Sequence, residues 1–253
     1  MFRAISKYHP LNLQTVRVIV FQSQILPVFE FTLQSFSYVP LQQTKDDFTG
    51  KTRGFHVGLP TSWTTMKNNQ TLVEITLNHW DNEYQEVMSK FKATSMREVS
   101  ISEIRRVQNP YLYQQYAAKR KEIEVKNGKN PQKWLWHGTY PETVDKIINN
   151  GFNRGYCGRN GTIYGAGVYF AVRASYSSGY CRLDSNGLKH MFCVQVATGN
   201  YCMGNSSMNV LPHKPGTGSH VTYDSACDNL SNPEMYVIFH DTQAYPAYHI
   251  IFR

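Results

Sequence analysis

The chain reads as an α+β protein with packed, mainly antiparallel sheets, and three observations predict this. Many short apolar or alternating stretches have strand length, while long helical spacing occurs only early in the chain. Residues 199–222 are rich in Pro, Gly, Ser and Asn, which marks an irregular connection. Aromatic residues are plentiful and charged ones only ordinary, so 253 residues carry enough apolar surface for one large core.

Taken in order, residues 16–21 and 28–33 look like strand material separated at Pro27, and the polar, glycine-punctuated stretch 45–54 suits a linker. Residues 1–55 therefore form a leader of uncertain structure and 56–253 a single domain. Residues 71–77 alternate as a half-buried strand does. Tyr84, Val87, Met88 and Phe91 recur at helical spacing across 81–91, so those four point inward. Residues 99–107 read as a strand with charges at alternate positions. Asn109 and Pro110 supply the cap and first turn of a long helix that runs to about Asn127 and closes at Gly128. Its basic run, Lys119-Arg-Lys121, reads as a solvated face. A strand at 133–136 and a short helix at 141–150, stopped by Gly151, come next. After a loop of Gly, Asn and Arg come the strand of Tyr169 and a serine-rich helical turn over 173–180. The remaining strands are predicted at 190–197, 221–223, 236–240 and 248–252.

The formal charge of +8 favours phosphate-bearing partners, a class that includes dinucleotides as well as nucleic acids. The five cysteines show neither Cys-x-x-Cys pairs nor metal-ligand spacing, which predicts free thiols in a reducing compartment and no metal. Residues 16–31 are apolar but broken by Arg17, Gln22, Gln24, Pro27 and Glu30, so they do not form a membrane span. With nothing resembling a signal peptide, an intracellular protein is expected, in nucleus or cytoplasm, without a membrane partner.

The densest chemistry lies in Trp134-Leu-Trp-His-Gly-Thr139 and, about thirty residues on, Gly165-Ala-Gly-Val-Tyr-Phe-Ala171. Together they offer an imidazole, an aromatic face and backbone groups for one planar amide, equipment suited to the nicotinamide end of NAD. Gly165-x-Gly167 is no Rossmann fingerprint, since it enters a strand and lacks the third glycine.

Residues from about 59 to 253 closely resemble the catalytic domain of the poly(ADP-ribose) polymerase superfamily, the diphtheria-toxin-like ADP-ribosyltransferases. The nearest resemblance is to the mono-ADP-ribosylating, macrodomain-bearing members. It is carried, in family order, by Trp63-Thr-Thr-Met66, Ile104-Arg-Arg-Val-Gln-Asn-Pro110, Leu135-Trp-His-Gly-Thr139, Asn150-Gly-Phe-Asn-Arg154, Tyr164-Gly-Ala-Gly-Val-Tyr-Phe-Ala171 and Gln243-Ala-Tyr-Pro246. The resemblance implies an ADP-ribosyltransferase fold in which the sheets form an NAD cleft flanked by helices, with NAD as co-substrate and protein side chains as acceptors. It places His137 at the nicotinamide-ribose hydroxyl, Gly138 at the carboxamide through its backbone and Ser177 at the carboxamide oxygen. Tyr169 and Tyr180 sandwich the nicotinamide ring, Thr139 lies near the adenosine ribose, and Arg154 and Tyr156 belong to a loop over the donor site.

Breaking the bond from ribose C1′ to the nicotinamide nitrogen leaves an oxocarbenium-like centre, so a rigidly held leaving group and an oriented ribose favour cleavage. A neutral His accepts from a ribose hydroxyl without adding charge beside a cationic ring. The informative departure is Met235, which stands where polymerising members carry a catalytic Glu at the start of a late strand. Glu234 is its neighbour, but side chains alternate along a strand, so Glu234 should point away. Mono-ADP-ribosylation is the expected outcome. Ala166 and Tyr176 also stand where relatives carry lysines. An inactive binding module of the same fold and a nucleic-acid ADP-ribosyltransferase are the alternatives.

Overall fold

A computed structural model describes residues 58–67, 69–96, 98–156, 161–218 and 220–253. The strand-like runs at 16–21 and 28–33 and the linker at 45–54 lie outside the described residues.

Among the described residues the architecture is mixed α+β around one nine-stranded sheet. In chain order the elements are β1 (Val73–Thr76), α1 (Asn82–Thr94), β2 (Ile101–Gln108), α2 (Pro110–Asn127) and β3 (Gln132–Thr139). Then come α3 (Val144–Asn150), entered by a 3-10 turn at Pro141–Thr143, β4 (Val168–Ala171) and α4 (Ala174–Ser178). The chain closes with β5 (Lys189–Ala197), β6 (Tyr201–Met203), β7 (Ser225–Cys227), β8 (Met235–Ile238) and β9 (Ala244–Phe252). The strand order is β1-β2-β9-β5-β3-β4-β8-β7-β6, antiparallel except between β6 and β7.

One seam in this sheet decides where a ligand can sit. β3 pairs with β5 along its whole length, from Gln132 opposite Ala197 to Thr139 opposite His190. Towards β4 it keeps a single pair, Trp136 with Ala171. Two half-sheets thus meet at one point and splay apart beyond it.

β5 shows why the larger half is so apolar. Met191 and Cys193 face a cluster that includes Phe91 of α1, Trp136, Ile250 and Phe252. Phe192, Val194 and Val196 face the opposite cluster, with Ile147 and Ile148 of α3, Phe152 and Phe170. Both faces are covered, so an alternating pattern becomes a continuous hydrophobic run. Burying each of these Phe, Ile or Val side chains contributes about 1.5–3 kcal/mol.

α2 follows the sequence closely. Asn109 caps it through the Leu112 N–H at 3.2 Å, Pro110 opens the first turn, and Gly128 ends it in the left-handed region at φ 68°. The Asn109 amide also donates to the Ile148 carbonyl at 3.0 Å, tying α2 to the end of α3. Losing cap and tie together is expected to make Asn109→Ala about 2 kcal/mol less stable. A urea melt checks this: the midpoint should fall while the slope stays unchanged.

Several boundaries depart from the sequence reading. The strand expected at 133–136 continues to Thr139, because β5 offers partners that far. Residues 221–223 form no strand; only an isolated bridge joins His213 and Thr222, and the strand lies at Ser225–Cys227. The connection after residue 199 contains β6, whose three residues are too few to show alternation. The last strand starts at Ala244 rather than 248. Its pairing with β5 steps from Cys193–Tyr248 to Val194–Pro246, so Pro246 sits at an irregularity, where a missing N–H costs least. The Lys119–Lys121 run is half-buried rather than freely solvated, with Lys119 bonded to Glu122 at 2.9 Å and Lys121 to Glu124 at 3.1 Å.

Among the described residues no helix is long and apolar enough to cross a membrane, and no group of three His, Cys, Asp or Glu residues is placed to hold a metal ion.

Candidate active site

Where β3 and β4 part, a cavity of about 470 Å³ opens between the half-sheets. One wall is β3 from His137 to Thr139 and the residue after it, the other β4 from Val168 to Ala171; α3 and α4 close the sides. His137, Gly138, Thr139, Tyr169, Ser177, Tyr180 and Met235 all line it. Residues spread over about a hundred positions of sequence thus converge on one cleft.

His137 sits at the mouth of the seam. Its Nδ1 lies 2.9 Å from the Tyr169 carbonyl, which can only accept, so Nδ1 carries the hydrogen and Nε2 keeps its lone pair. Burial holds the imidazole below the usual histidine range, opposed by that hydrogen bond to Tyr169. An edge contact from Phe152 at 5.0 Å and a tilted one from Phe170 at 5.4 Å fix the ring orientation. The result is a neutral, oriented acceptor beside the cavity.

Gly138 is glycine for a packing reason. An added Cβ would lie 2.0 Å from the Ser177 carbonyl oxygen and 2.9 Å from Cys181 Sγ. Only a bare backbone lets α4 approach β3 this closely. Ser177 is buried, and its hydroxyl donates to the Trp136 carbonyl at 3.0 Å. In this arrangement its oxygen is an acceptor; donating to a ligand requires the hydroxyl to turn from that carbonyl.

Tyr169 and Tyr180 reach the cavity from different elements. The Tyr169 hydroxyl donates to the Gly165 carbonyl at 2.8 Å and accepts from the Tyr164 N–H at 2.9 Å, which locks the ring to the preceding turn. That turn also demands glycine, with Gly165 at φ 123° and no room at Gly167, where a Cβ would meet the Ile238 carbonyl oxygen at 2.4 Å. Tyr180 pairs instead with Tyr176, hydroxyl to hydroxyl at 3.4 Å, and Tyr176 also lines the cavity. Hydrogen bonding to Tyr180 raises the Tyr176 phenol to about 12.

Met235 is buried, opposite Ala171 at the start of β8, and lines the cavity. Glu234 turns the other way and binds Arg173 at 2.6 Å. Thr139 is buried at the end of β3.

Arg154 is not brought into this lining. Its backbone N–H donates to Asp241 at 3.1 Å and its guanidinium to the Phe239 carbonyl at 3.2 Å, which turns it towards the loop after β8. Tyr156 ends the 3-10 turn Arg154–Tyr156. Sequence reasoning missed the stripe Thr143, Lys146, Ile147 and Asn150, which α3 and the 3-10 turn before it lay along the cavity at three- and four-residue spacing. Lys146 is the one Lys or Arg among the described lining residues. The helical spacing was visible in the sequence, but which face meets the cleft was not.

Residues 81–226, more than half the chain, match the family described as poly(ADP-ribose) polymerase catalytic domain. Protein mono-ADP-ribosyltransferase PARP14 of Homo sapiens is 44% identical over 78% of this chain and 11% of its own length. Protein mono-ADP-ribosyltransferase PARP10 of Mus musculus is 41% identical over 66% of this chain and 18% of its own. Protein mono-ADP-ribosyltransferase PARP11 of Mus musculus is 28% identical over 96% of this chain and 75% of its own. The chain thus spans less than a fifth of the first two relatives it matches. With this match running through the strands, helices and cleft described above, the chain belongs to the poly(ADP-ribose) polymerase catalytic domain family.

Proposed function

We propose that the chain is a mono-ADP-ribosyltransferase that moves one ADP-ribose from NAD to a protein side chain, its own included, and releases nicotinamide. The observation that carries this reading is the pair Glu234 and Met235: a thioether lines the cleft while the neighbouring carboxylate is held outside by Arg173. A thioether offers neither a base nor a charge to an acceptor hydroxyl. Growth of a second ADP-ribose on the first therefore lacks its base, and the acceptor must bring its own nucleophile, most simply a carboxylate.

NAD supplies the C1′–nitrogen bond that breaks; nicotinamide leaves with the electron pair and the acceptor oxygen bonds to C1′. The residues present suit such a donor. The neutral Nε2 of His137 accepts a ribose hydroxyl hydrogen and orients the sugar. Tyr169 and Tyr180 offer aromatic faces for a planar leaving group, and Gly138 lies on the β3 edge that β4 leaves unpaired. Thr139 stands further along β3 for the adenosine ribose, and Lys146 supplies positive charge for a pyrophosphate. The relatives named above as protein mono-ADP-ribosyltransferases support the same reading. A reducing, intracellular setting belongs to the proposal, and the free thiols of Cys181, Cys193, Cys202 and Cys227 support it.

Incubation of the purified chain with labelled NAD, read on a denaturing gel, tests the proposal. One discrete modified band is expected, its label not lengthening with time. A ladder of growing products would overturn the Met235 argument, and folded protein that takes no label would overturn the transferase reading.

A further inference from the structure

Outside the cleft, four titratable side chains from four segments form one line of hydrogen bonds. Asp184 Oδ2 lies 3.2 Å from His190 Nε2, His190 Nδ1 lies 2.9 Å from His249 Nε2, and His249 Nδ1 lies 3.2 Å from Glu74 Oε1. His190 belongs to β5, His249 to β9 and Glu74 to β1, while Asp184 stands in the turn after α4. The two ring planes lie within 27° of each other with centroids 5.1 Å apart, as an edge-to-edge N–H···N contact requires, and Phe192 lies against His249 at 5.1 Å. Arg105 of β2 closes the line, 4.0 Å from the other Glu74 oxygen and 2.6 Å from Glu103.

The partners dictate a proton count. Both outer acceptors are carboxylates, so His190 Nε2 and His249 Nδ1 each carry a hydrogen. The contact between the rings needs exactly one more. Three hydrogens on four ring nitrogens make the pair one imidazolium shared between two rings, flanked by Asp184 and Glu74. With two hydrogens, either two lone pairs face each other at 2.9 Å or one outer bond is surrendered. With four, two N–H groups collide. The outer bond that yields is the one to Asp184, because His190 and Asp184 side chains are 12% and 17% exposed and water can replace it. His249 is 2% exposed, and its nitrogen would be stranded away from water.

Asp184 links this line to the cleft. Its Oδ1 accepts from the Asn186 and Leu188 N–H groups at 2.8 Å each, shaping the turn at 184–188 that opens four residues on from Tyr180. Cys181 Sγ donates to the His190 carbonyl at 3.1 Å, a second tie from that segment to β5.

We propose that His190 and His249 are positioning residues that share one proton and, through Asp184, hold the segment carrying Tyr180 against the cleft. Its consequence for catalysis rests on the donor-site reading above; the proton count does not. The sign follows from the count: the latch is closed with three hydrogens and loosens as pH rises and the shared proton leaves. Burial pulls His190 below 6.5, Asp184 pushes it back, and the neighbouring His249 charge lowers it again, so the transition lies on the acid side of neutrality.

Backbone amide resonances of residues 180–188, followed over roughly pH 5 to 8, test the latch where histidines titrate. One transition with a midpoint below 6.5 is expected. It should vanish in His190→Gln, whose amide donates to Asp184 without titrating, and in His249→Gln, which removes the other ring. Nicotinamide, used as probe in calorimetry, should bind about fivefold more weakly above the transition, the effect of one hydrogen bond. In the variants the part of that dependence belonging to the pair should be gone, leaving only the titration of His137. Resonances that do not move, or that move unchanged in both variants, overturn the proposal. Resonances that move as expected while nicotinamide binds at no pH support the latch and overturn the donor-site reading instead.

Discussion

Transfer of label from NAD is expected to fall by about a hundredfold or more in His137→Ala, an effect of the size seen when a positioning contact is lost at the reacting centre. The Tyr169 carbonyl fixes the tautomer by taking the Nδ1 hydrogen at 2.9 Å, so the lone pair on Nε2 is a consequence of structure rather than of chance. Alanine removes that acceptor and leaves Phe152 and Phe170 without their ring contact. Folding should survive at a cost of about 1–3 kcal/mol, since a carbonyl loses one donor and a partly open site loses one ring. Activity and thermal melting measured on the same preparation separate the two effects. A variant that melts near the parent yet keeps transfer within about tenfold would remove His137 from the reaction.

The same residue predicts the acid limb of the pH profile. Burial depresses the His137 pKa below 6.5, so the imidazole is neutral at neutral pH. Its acceptor function is present above the depressed pKa and lost as pH falls through it, when Nε2 gains a hydrogen. Transfer should therefore decline on the acid side of 6.5. The His190–His249 latch moves the opposite way, closing as pH falls. Comparing the parent with His190→Gln distinguishes the two.

Gly138→Ala is the second large effect. The added methyl carbon would stand 2.0 Å from the Ser177 carbonyl oxygen, and backbone, unlike a flexible side-chain tip, cannot swing aside. Either β3 leaves its register with β5 between Thr139 and His190, or α4 is pushed off β3. Both displace Ser177 and Tyr180 from the cleft. Overpacking of this kind costs about 1–3 kcal/mol, so melting should drop by several degrees. Nicotinamide binding should be lost even in the fraction that stays folded. Calorimetry on protein held below its melting point checks this; full-strength binding would show that α4 can shift without cost to the site.

Much of the cleft was legible in the sequence because its residues sit in short motifs. His137, Gly138 and Thr139 are consecutive, and Tyr169 follows a turn that Gly165 and Gly167 mark by themselves. Asn109, Pro110 and Gly128 announced both ends of α2, since capping and left-handed backbone are local matters. Arg154 and the α3 stripe illustrate the limit. A sequence can put Lys146 and Asn150 on one helical face, but which wall that face meets depends on β3 and β4 parting where they do. Arg154 was assigned to the donor loop, yet the guanidinium finds the Phe239 carbonyl from an element 85 residues away.

Strand limits failed for a related reason. β6 and β7 are short, and their pairing with each other owes little to their own alternation. β9 runs through Pro246, a residue that locally argues against a strand, because β5 supplies hydrogen-bonding partners on both sides of the irregularity. By itself, then, the sequence determined the α+β class, the long helix α2 with both its ends, the family, and the residue types that stand in the motifs lining the cleft. These depend on residue type and on spacing within one turn or one strand. Tertiary structure alone decided where the sheet splits, which tautomer His137 holds, why residue 138 has no side chain, and that the ring nitrogens of two histidines 59 residues apart meet at 2.9 Å. Each of those is set by atoms from distant segments meeting within hydrogen-bond or van der Waals distance, and no local pattern encodes such a meeting.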